Sequence, residues 1–422
     1  MPLLRRQRAA TVLPPLPVVQ HTIVSWEPGH VRAAVLRLED GSAEIIGVAA
    51  APVQSISRSA HPDVDRWAAG CEKALSQAEE MTAQTVGRKV VPDYAIMAIP
   101  GELTRLLRVD VDMERRHAGQ GITMADVESL VVRGYRLAQD RLSAEEHQLS
   151  DEIVDGAIIE TYVDGEVVTD PLGLHGARLG LTMSYAVAPL EWVRTLEEVA
   201  RRAELNLVAV LPHQTAYASP LADPHALLIL LHDEHSVVAW LRNGRVQAMG
   251  LVEMGQRKIV DDLGGLLNLR GREAESLLQA FRARRLREDF HHYVARAFWV
   301  ELRRWMAALA EETHRLMGDE ALPQHLYFAD ASRRLPEAMA ALQTTYWEKS
   351  LPFGCCPEVT ELNVGLVRHV LDSTAQAGGP GYLLVRALAH KVAQLYAPAN
   401  VRDRLLVQTV SCTRATAAPR MR

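Results

Sequence analysis

Residues 226–254 read ALLILLHDEHSVVAWLRNGRVQAMGLVEM, and residues 21–50 read HTIVSWEPGHVRAAVLRLEDGSAEIIGVAA. Each stretch has the pattern of a strand, a short turn, a second strand, a tight turn and a third strand. The tight turns contain Asn243-Gly244 and Asp40-Gly41, which favour two-residue hairpins because such turns need positive φ. Two β-meanders with matching turn positions predict a duplicated α/β unit whose two copies face each other across a cleft.

Length and composition predict a folded, soluble protein with two or more domains. The chain has 422 residues, of which 48% are hydrophobic and 23% are charged, as is ordinary for globular proteins. Its net charge of −6 gives no general attraction to nucleic acid or anionic membranes. Four cysteines without zinc-type spacing fit a reducing cytoplasm. No apolar run approaches the ~20 residues of a membrane-spanning helix, so we expect a cytoplasmic protein.

Hydrophobic spacing places further helices and strands around the two meanders. Helices are predicted at 62–86, 123–142, 189–205, 336–349 and 382–396, and a long helical region at 257–317. Buried strands are predicted at 93–101 and 325–330, and a further strand at 206–213. Within 257–317, one helix face carries Phe298, Leu302, Trp305 and Leu309.

The segment between the first meander and residue 188 has the pattern of an inserted α+β module. Thr123 and Asp126 begin its helix as an N-cap residue and an N3 carboxylate. Its last strand has the strict alternation of a half-buried strand, with apolar residues at Leu179, Leu181, Met183, Tyr185 and Val187.

The sequence just before that strand is the most specific motif in the chain. Residues 170–187 read DPLGLHGARLGLTMSYAV. Asp170 and Pro171 start a turn, Gly173 and Gly176 permit backbone shapes that a Cβ disfavours, and Arg178 starts the strand. With this motif and the two meanders, the chain resembles the FtsA/PilM family of bacterial actin homologues, over about residues 22–396.

The resemblance implies an α/β, actin-like two-lobed (ribonuclease H-like duplicated) fold with an inserted FtsA-type (SHS2) α+β module. The expected parts are a flexible N-terminal tail at 1–20, a first lobe at 21–100 and 188–222, the module at 101–187, a second lobe at 223–258 and 320–398 whose final helix returns to the first lobe, a helical subdomain at 259–319, and a basic C-terminal tail at 399–422.

The family binds nucleotide with three motifs, and the resemblance places a degenerate version of each in this chain. In the first turn, Glu27 and Gly29 stand where the family has Asp-Ile-Gly-Thr, but Pro28 offers no N–H to phosphate. In the second turn, Asp233 and Glu234 replace a glycine-rich sequence and would repel a polyanion. Both turns therefore lack the features of a phosphate grip.

The third motif grips adenosine in the family and is commonly Gly-Gly-Gly after a buried strand. The matching positions here are Ala329, Asp330, Ala331 and Ser332. With all three motifs degenerate, the sequence predicts no cofactor and no catalytic residue. The alternative is a divergent actin-like ATPase that still binds Mg-ATP in the interlobe cleft, with Glu27 and Asp233 sharing the Mg²⁺.

The sequence also contains residue types of a metal site and of a nucleic-acid interface. His232 and His235 have side chains that zinc or manganese would accept, but consecutive residues on a hairpin turn cannot all converge on one ion. We therefore expect a solvated polar turn and no metal site. In a third interpretation, the arginines of 257–317 make the chain a nucleic-acid binder. Carboxylates are interleaved with these arginines, which favours a solvated helical face and no nucleic-acid partner.

The preserved architecture without preserved nucleotide motifs predicts a non-catalytic FtsA/PilM-like scaffold, or pseudo-ATPase. The resemblance implies protein partners in a cell-division or pilus-type machine, self-association, and recruitment to the inner face of the membrane. FtsA-type proteins end in an amphipathic helix that binds lipid. Here Val401, Leu405, Leu406 and Val410 form a weak stripe without an aromatic anchor, which favours a disordered tail and leaves direct membrane contact unsupported.

One expectation concerns the cleft between the lobes. Trp26 stands where the family usually has a small aliphatic residue before the acidic position. If no nucleotide joins the lobes, Trp26 and Pro28 would fill the cleft near His232 and His235 as a plug. The alternative is that Trp26 points into the core of the first lobe as an ordinary strand residue.

Overall fold

A computed structural model describes residues 20–27, 29–53, 63–144, 151–221, 223, 225–318, 320–330, 335–351, 353, 357–397, 405–406 and 409–410. Contacts group these residues into two compact units. The first unit contains the described residues up to Leu221 and those from Val364 onward. The second contains the described residues between them, except Arg245–Gln247, which group with the first.

The described residues form a mixed α/β structure. The strands, in chain order, are β1 (Gln20–Glu27), β2 (His30–Glu39), β3 (Ser42–Pro52), β4 (Tyr94–Ile99), β5 (Arg105–Glu114), β6 (Asp151–Val163), β7 (Glu166–Val167), β8 (Arg178–Pro189), β9 (Asn206–Pro212), β10 (His225–Leu231), β11 (Ser236–Arg242), β12 (Arg245–Val252), β13 (His325–Asp330), β14 (Glu358–Glu361) and β15 (Val370–Asp372). The helices are α1 (Val64–Val86), α2 (Met124–Ala144), α3 (Leu190–Arg202), α4 (His213–Ala218), α5 (Gln256–Leu266), α6 (Arg272–Arg282), α7 (Glu288–Met317), α8 (Pro336–Leu342), α9 (Thr345–Ser350) and α10 (Leu383–Tyr396).

The first meander lies in a sheet of the first unit with the order β15-β3-β2-β1-β4-β9. β1, β2 and β3 are antiparallel, whereas β1, β4 and β9 run parallel. Asp40 and Gly41 have φ of 44° and 79°, which is the positive-φ geometry that an Asp-Gly hairpin predicts. The parallel strands bring the carboxyl ends of β1, β4 and β9 to one edge, where sheets of this kind bind ligands.

Helices cover this sheet and close its core. Trp67, Cys71 and Ala78 of α1 belong to one buried cluster with Val24 of β1 and Val193 of α3. α10 packs against β1, β2 and β3 and against α4. The strands are therefore buried along most of their length, as their near-continuous apolar sequences require.

The expected boundary of the second lobe at residue 398 is wrong. Val370 of β15 pairs in parallel with Ala43 of β3, and the Ser373 hydroxyl donates to the Glu44 carboxylate at 2.6 Å. The chain thus returns to the first unit at β15, before the final helix. A strand of three residues is too short to recognise from its apolar pattern.

The inserted segment forms its own sheet in the order β5-β8-β6-β7, with α2 packed on it. β5 and β6 are both antiparallel to β8. The capping box predicted for α2 is present: Thr123 N donates to Asp126 Oδ2 at 2.8 Å, and Asp126 N donates to Thr123 Oγ1 at 3.4 Å. The hydrogen bond from the Thr123 backbone holds the pKa of Asp126 below its usual range.

β8 is more deeply buried than a half-buried strand should be. Leu181 and Met183 belong to the core shared with α2, but Thr182 and Ser184, which alternate with them, are also only 2% and 3% exposed. β8 is a central strand, paired with β5 on one side and with β6 on the other. Burial on both faces follows from this position.

The second meander lies in a sheet of the second unit with the order β12-β11-β10-β13-β14. β10 is antiparallel to β11 and parallel to β13. Asn243 and Gly244 have φ of 52° and 70°, as the Asn-Gly pair predicts. Trp305 of α7 donates its indole N–H to the Ser236 hydroxyl at 2.9 Å, which ties the helical layer to β11.

The helical region expected at 257–317 is three helices, α5, α6 and α7. The chain leaves helical geometry at Asn268 and Gly271, with φ of 55° and 47°, and at Arg284, with φ of 51°. The apolar face predicted for this region is confirmed in α7, where four residues are buried against the second sheet: Phe298, Leu302, Trp305 and Leu309.

Candidate functional site

The turn between β1 and β2 carries a carboxylate that its own hairpin neutralises. Glu27 pairs with His30 across the hairpin and is only 9% exposed. The Arg32 guanidinium lies 2.5 Å from the Glu27 carboxylate, and the Ser25 hydroxyl donates to it at 3.4 Å. Burial raises the pKa of Glu27, and the charge of Arg32 partly offsets that rise. The carboxylate therefore already has a cationic partner.

Arg32 is itself held from its other side. Its guanidinium carbon lies 5.4 Å from the centre of the Tyr382 ring, a cation–π distance. A Cβ on Gly381 would come within 3.2 Å of Arg32 Nη2, so the segment before α10 is in close contact with this guanidinium. In the turn itself, Gly29 has φ of 78°, and Pro28 lies outside the described residues.

The expectation that Trp26 plugs a cleft is wrong. Trp26 is fully buried in the core cluster of the first unit. Its ring stacks on Trp67 of α1 at a centroid distance of 5.3 Å, and Trp67 lies 5.3 Å from Trp192 of α3. Trp26 points inward because it has the same strand parity as Val24, which faces this core too.

The turn between β10 and β11 is closed by the start of α5. His232 N donates to the His235 carbonyl at 2.9 Å across the turn. Gln256 N donates to the His232 carbonyl at 2.9 Å, and Arg257 N donates to the Asp233 carbonyl at 2.8 Å. The first N–H groups of a helix are the ones that can bind phosphate. Here two of them are used by the turn.

Side chains reinforce this junction. A Cβ on Gly255, the N-cap residue of α5, would come within 2.4 Å of backbone atoms of Glu234 and His235. Only glycine fits so close an approach. The Arg257 guanidinium lies 3.2 Å from the Glu234 carboxylate and 3.8 Å from that of Asp233. The two carboxylates expected to repel a polyanion are therefore paired with Arg257.

The third degenerate motif follows β13 and also faces α5. The Asp330 carboxylate accepts hydrogen bonds from the Gln256 side chain and, at 3.0 Å, from Leu335 N just before α8. Ala329 is buried, whereas Ala331 and Ser332 lie outside the described residues. Asp330 thus links the end of β13 to the starts of two helices.

The three positions share one chemical property. Each carboxylate that the sequence singled out accepts a hydrogen bond or ion pair from its own unit: Glu27 from Arg32, Asp233 and Glu234 from Arg257, and Asp330 from Gln256. In the described ranges, no group of three or more His, Cys, Asp or Glu side chains is arranged to hold a metal ion. The arrangement stabilises the turns through contacts within each unit.

The motif at 170–178 organises the loop that enters β8. Asp170 accepts from Leu172 N at 3.2 Å, and Gly173, with φ of 78°, donates its N–H to the Ile122 carbonyl at 2.9 Å. Within the same loop, Leu174 N donates a hydrogen bond to the Pro171 carbonyl at 3.1 Å. The loop is thereby joined to the segment that begins α2.

The last two residues of that motif meet the strands beside them. A Cβ on Gly176 would come within 2.4 Å of a Val163 methyl, so this position has room only for glycine. Arg178 forms an ion pair with Asp112 of β5, with Nη2 2.7 Å from the carboxylate. These contacts are structural, and they explain why the motif has its residue types.

The comparison with curated proteins finds the cell division protein FtsA of Streptococcus pneumoniae. It is 23% identical over 255 residues, which cover 58% of this chain and 52% of FtsA. The chain therefore spans about half the length of this curated relative. No protein-family profile matches the chain.

Among solved structures, the chain is similar to the PilM-PilN type IV pilus biogenesis complex, with a TM-score of 0.57, 14% identity, and coverage of 90% of this chain and 99% of that one. This likeness shows that the chain has an actin-like fold. The ethanolamine utilization protein EutJ from Carboxydothermus hydrogenoformans is also similar, with a TM-score of 0.46, 13% identity, and coverage of 90% and 92%.

The described residues of the C-terminal tail, 405–406 and 409–410, depart from the expectation of a disordered segment. Leu405, Leu406 and Val410 belong to the hydrophobic cluster of the inserted module, and Leu406 and Val410 are fully buried there. A Cβ on Gly156 would come within 3.0 Å of both Leu406 and the Tyr185 ring, so glycine leaves room for the leucine. These three apolar residues of the tail therefore pack within the protein, and Val401 lies outside the described residues.

Several residues that matter here were not singled out from the sequence. Arg32, Gln256 and Arg257 become partners of the degenerate motifs only when the turns bring them close. The MGQRK sequence at 254–258 follows the second meander directly and was the one available signal. Among the described residues, no helix is long and apolar enough to cross a bilayer.

Proposed function

We propose that this protein is a non-catalytic scaffold or adaptor of the FtsA/PilM type, acting as a pseudo-ATPase in cell division or envelope-machinery assembly. The observation that carries the proposal is the internal pairing of the degenerate motifs. In the second turn, N–H groups that would otherwise point at a phosphate donate to the His232 and Asp233 carbonyls. In the first turn, the carboxylate that would face a metal is bound to Arg32.

This pairing supports a protein whose lobes are folded without ligand. A phosphate entering either turn would have to displace hydrogen bonds and would meet carboxylates that already have partners. Removing a buried hydrogen-bond partner without replacing it costs about 1–3 kcal/mol. Nucleotide binding would begin with that cost.

The relatives suggest the kind of partner. PilM forms a complex with PilN in type IV pilus biogenesis, and FtsA is a cell division protein. We infer that this chain likewise binds proteins of a division or pilus-type machine, associates with itself, and works in the cytoplasm at the inner face of the membrane. The inserted module and the lobes would supply the binding surfaces.

Nucleic-acid binding has less support than protein binding. Three of the arginines that motivated it form ion pairs with nearby carboxylates: Arg282 with Glu337, Arg287 with Asp289, and Arg304 with Glu301. Such pairs reduce the positive charge that phosphate recognition needs.

Calorimetry with Mg-ATP tests the pseudo-ATPase proposal on the full chain. We expect no binding heat at millimolar ATP. Glu39→Ala, at the exposed end of β2, is the control. Micromolar binding that Glu27→Ala abolishes and Glu39→Ala leaves intact would establish the divergent ATPase instead. The scaffold role is tested separately by affinity capture from the native cytoplasm, where components of a filament or membrane machine are expected. Recovery of metabolic enzymes alone would contradict it.

A further inference from the structure

β5 forms one of the two edges of the sheet in the inserted module. β8 pairs with β5 along its whole length on one side, and on the other side no strand of the described residues pairs with β5. Arg108, Asp110 and Asp112 are exposed along it. A long edge strand with unpaired backbone groups is a template for pairing with another chain.

The backbone of this edge is only partly covered. Arg141 of α2 donates a hydrogen bond to the Arg108 carbonyl at 3.0 Å, and Arg133 of α2 donates to the Asp112 carbonyl at 2.9 Å. Both carbonyls therefore lie within reach of α2 at the open edge. Because the bonding direction alternates along a strand, the N–H and C=O of Asp110 belong to the same edge.

The sequence of β5 is complementary to itself when two copies run antiparallel. With Asp110 on a two-fold axis, Arg108 of each copy faces Asp112 of the other, and Val109 faces Val111. We propose that two copies of this chain associate through β5, joining their module sheets edge to edge with Asp110 at the centre. A two-fold interface of this kind uses the same surface on both copies, and opposite charges directly across strands are stabilising.

The like charges at the centre are partly compensated within each copy. Asp110 accepts a hydrogen bond from the Thr182 hydroxyl at 2.6 Å and lies 3.6 Å from the Arg108 guanidinium. Asp112 is held by Arg178 at 2.7 Å. Pairing would extend each of these contacts into a row of alternating charges across the interface. Neutralising the centre with Asp110→Asn should strengthen the association.

The two α2 arginines compete with this pairing. The carbonyls they cap are the ones that would accept N–H groups from the second copy. Removing both side chains, in Arg133→Ala/Arg141→Ala, should therefore shift the equilibrium toward dimer. This competition makes the association weak and adjustable, in keeping with a scaffold that assembles and disassembles.

The inference deepens the self-association proposed above and rests on it only for its role in assembly. Sedimentation velocity over a range of concentrations tests it with charge-reversed full-length chains. Arg108→Asp and Asp112→Arg should each weaken homodimerisation by about tenfold or more, because each places like charges opposite one another at two symmetric positions. An equimolar mixture of the two variants should recover association, since both cross-strand pairs become opposite in charge again.

Controls separate this surface from general charge effects and from misfolding. Arg136→Asp, an exposed change on α2, should leave association unchanged, and circular dichroism should show that every variant is folded. Asp110→Cys should cross-link to itself with a short bis-maleimide, whereas Glu128→Cys on α2 should not. The proposal would be overturned if the wild-type chain and the Arg133→Ala/Arg141→Ala chain both stayed monomeric. It would also be overturned if the mixture of Arg108→Asp and Asp112→Arg chains failed to associate. Either result would leave the calorimetric and affinity-capture tests of the scaffold function unaffected.

Discussion

Arg32→Ala removes the cation that faces the buried Glu27 carboxylate. The Arg32 and Glu27 side chains are 16% and 9% exposed and lie 2.5 Å apart. Breaking a buried ion pair from one side costs about 3–5 kcal/mol because the remaining charge is left without a partner. We expect the lower end, about 3 kcal/mol, since Arg32 keeps some contact with solvent.

Urea denaturation at neutral pH, followed by tryptophan fluorescence, measures this loss. A double-mutant cycle with Glu27→Gln then isolates the pair, because the amide needs no cation: Glu27→Gln/Arg32→Ala should be less destabilised than the sum of the single changes. Losses that add to within about 0.5 kcal/mol would show that the two side chains are not coupled and would refute the reasoning.

The pH dependence of the same variant gives a second check. Burial raises the pKa of Glu27, and Arg32 opposes that rise, so removing Arg32 should raise it further. A carboxyl group with a raised pKa in the folded state costs stability as pH rises from its ordinary value of 4.5 through the folded value. The deficit of Arg32→Ala should therefore shrink as pH falls toward 4.5. A deficit that is constant with pH would contradict this.

Two further predictions concern other buried groups. Leu406→Ala should destabilise the module by about 2–5 kcal/mol, and Leu405→Ala should destabilise it clearly less because Leu405 is only half-buried. Hydrogen exchange of the β6 amides measures both losses. Equal losses would mean that Leu406 does not pack against the module. Burial lowers the pKa of His21 from 6.5 to about 4. As pH falls, the unfolded chain therefore binds a proton at His21 before the folded chain does. The free energy of unfolding should fall by about 3 kcal/mol between pH 6.5 and pH 4. His21→Phe should flatten that slope in unfolding titrations without abolishing it, because His390 has a similarly lowered pKa, and an unchanged slope would count against the assignment.

The parts of the fold that were predictable depend on local signals. Asn243 and Gly244 determine a turn by their own backbone preferences, and Thr123 and Asp126 mark the start of α2 through contacts three residues apart. The division of 257–317 into three helices was missed because the apolar spacing continues across Gly271.

The unpredicted contacts join residues far apart in the chain. The side chain of Trp26 could lie on either face of β1. It lies on the face that contacts Trp67 and Trp192, and the packing of α1 and α3 brings those two residues near. The packing of Leu406 depends on the absence of a side chain at Gly156, in a strand of the module. Periodicity shows that such a residue is apolar, but it does not show which surface will bury it.

The same distinction explains the degenerate motifs. Sequence comparison shows which glycines are missing, whereas the structure shows what the replacements do. Asp233 and Glu234 would be unfavourable on a turn if they had no counter-charge, yet Arg257 provides one from the first turn of α5. Gly255 allows that helix to approach the turn backbone. Because two carboxylates and an arginine of one unit pair with each other, contacts within that unit account for the residue types of this turn.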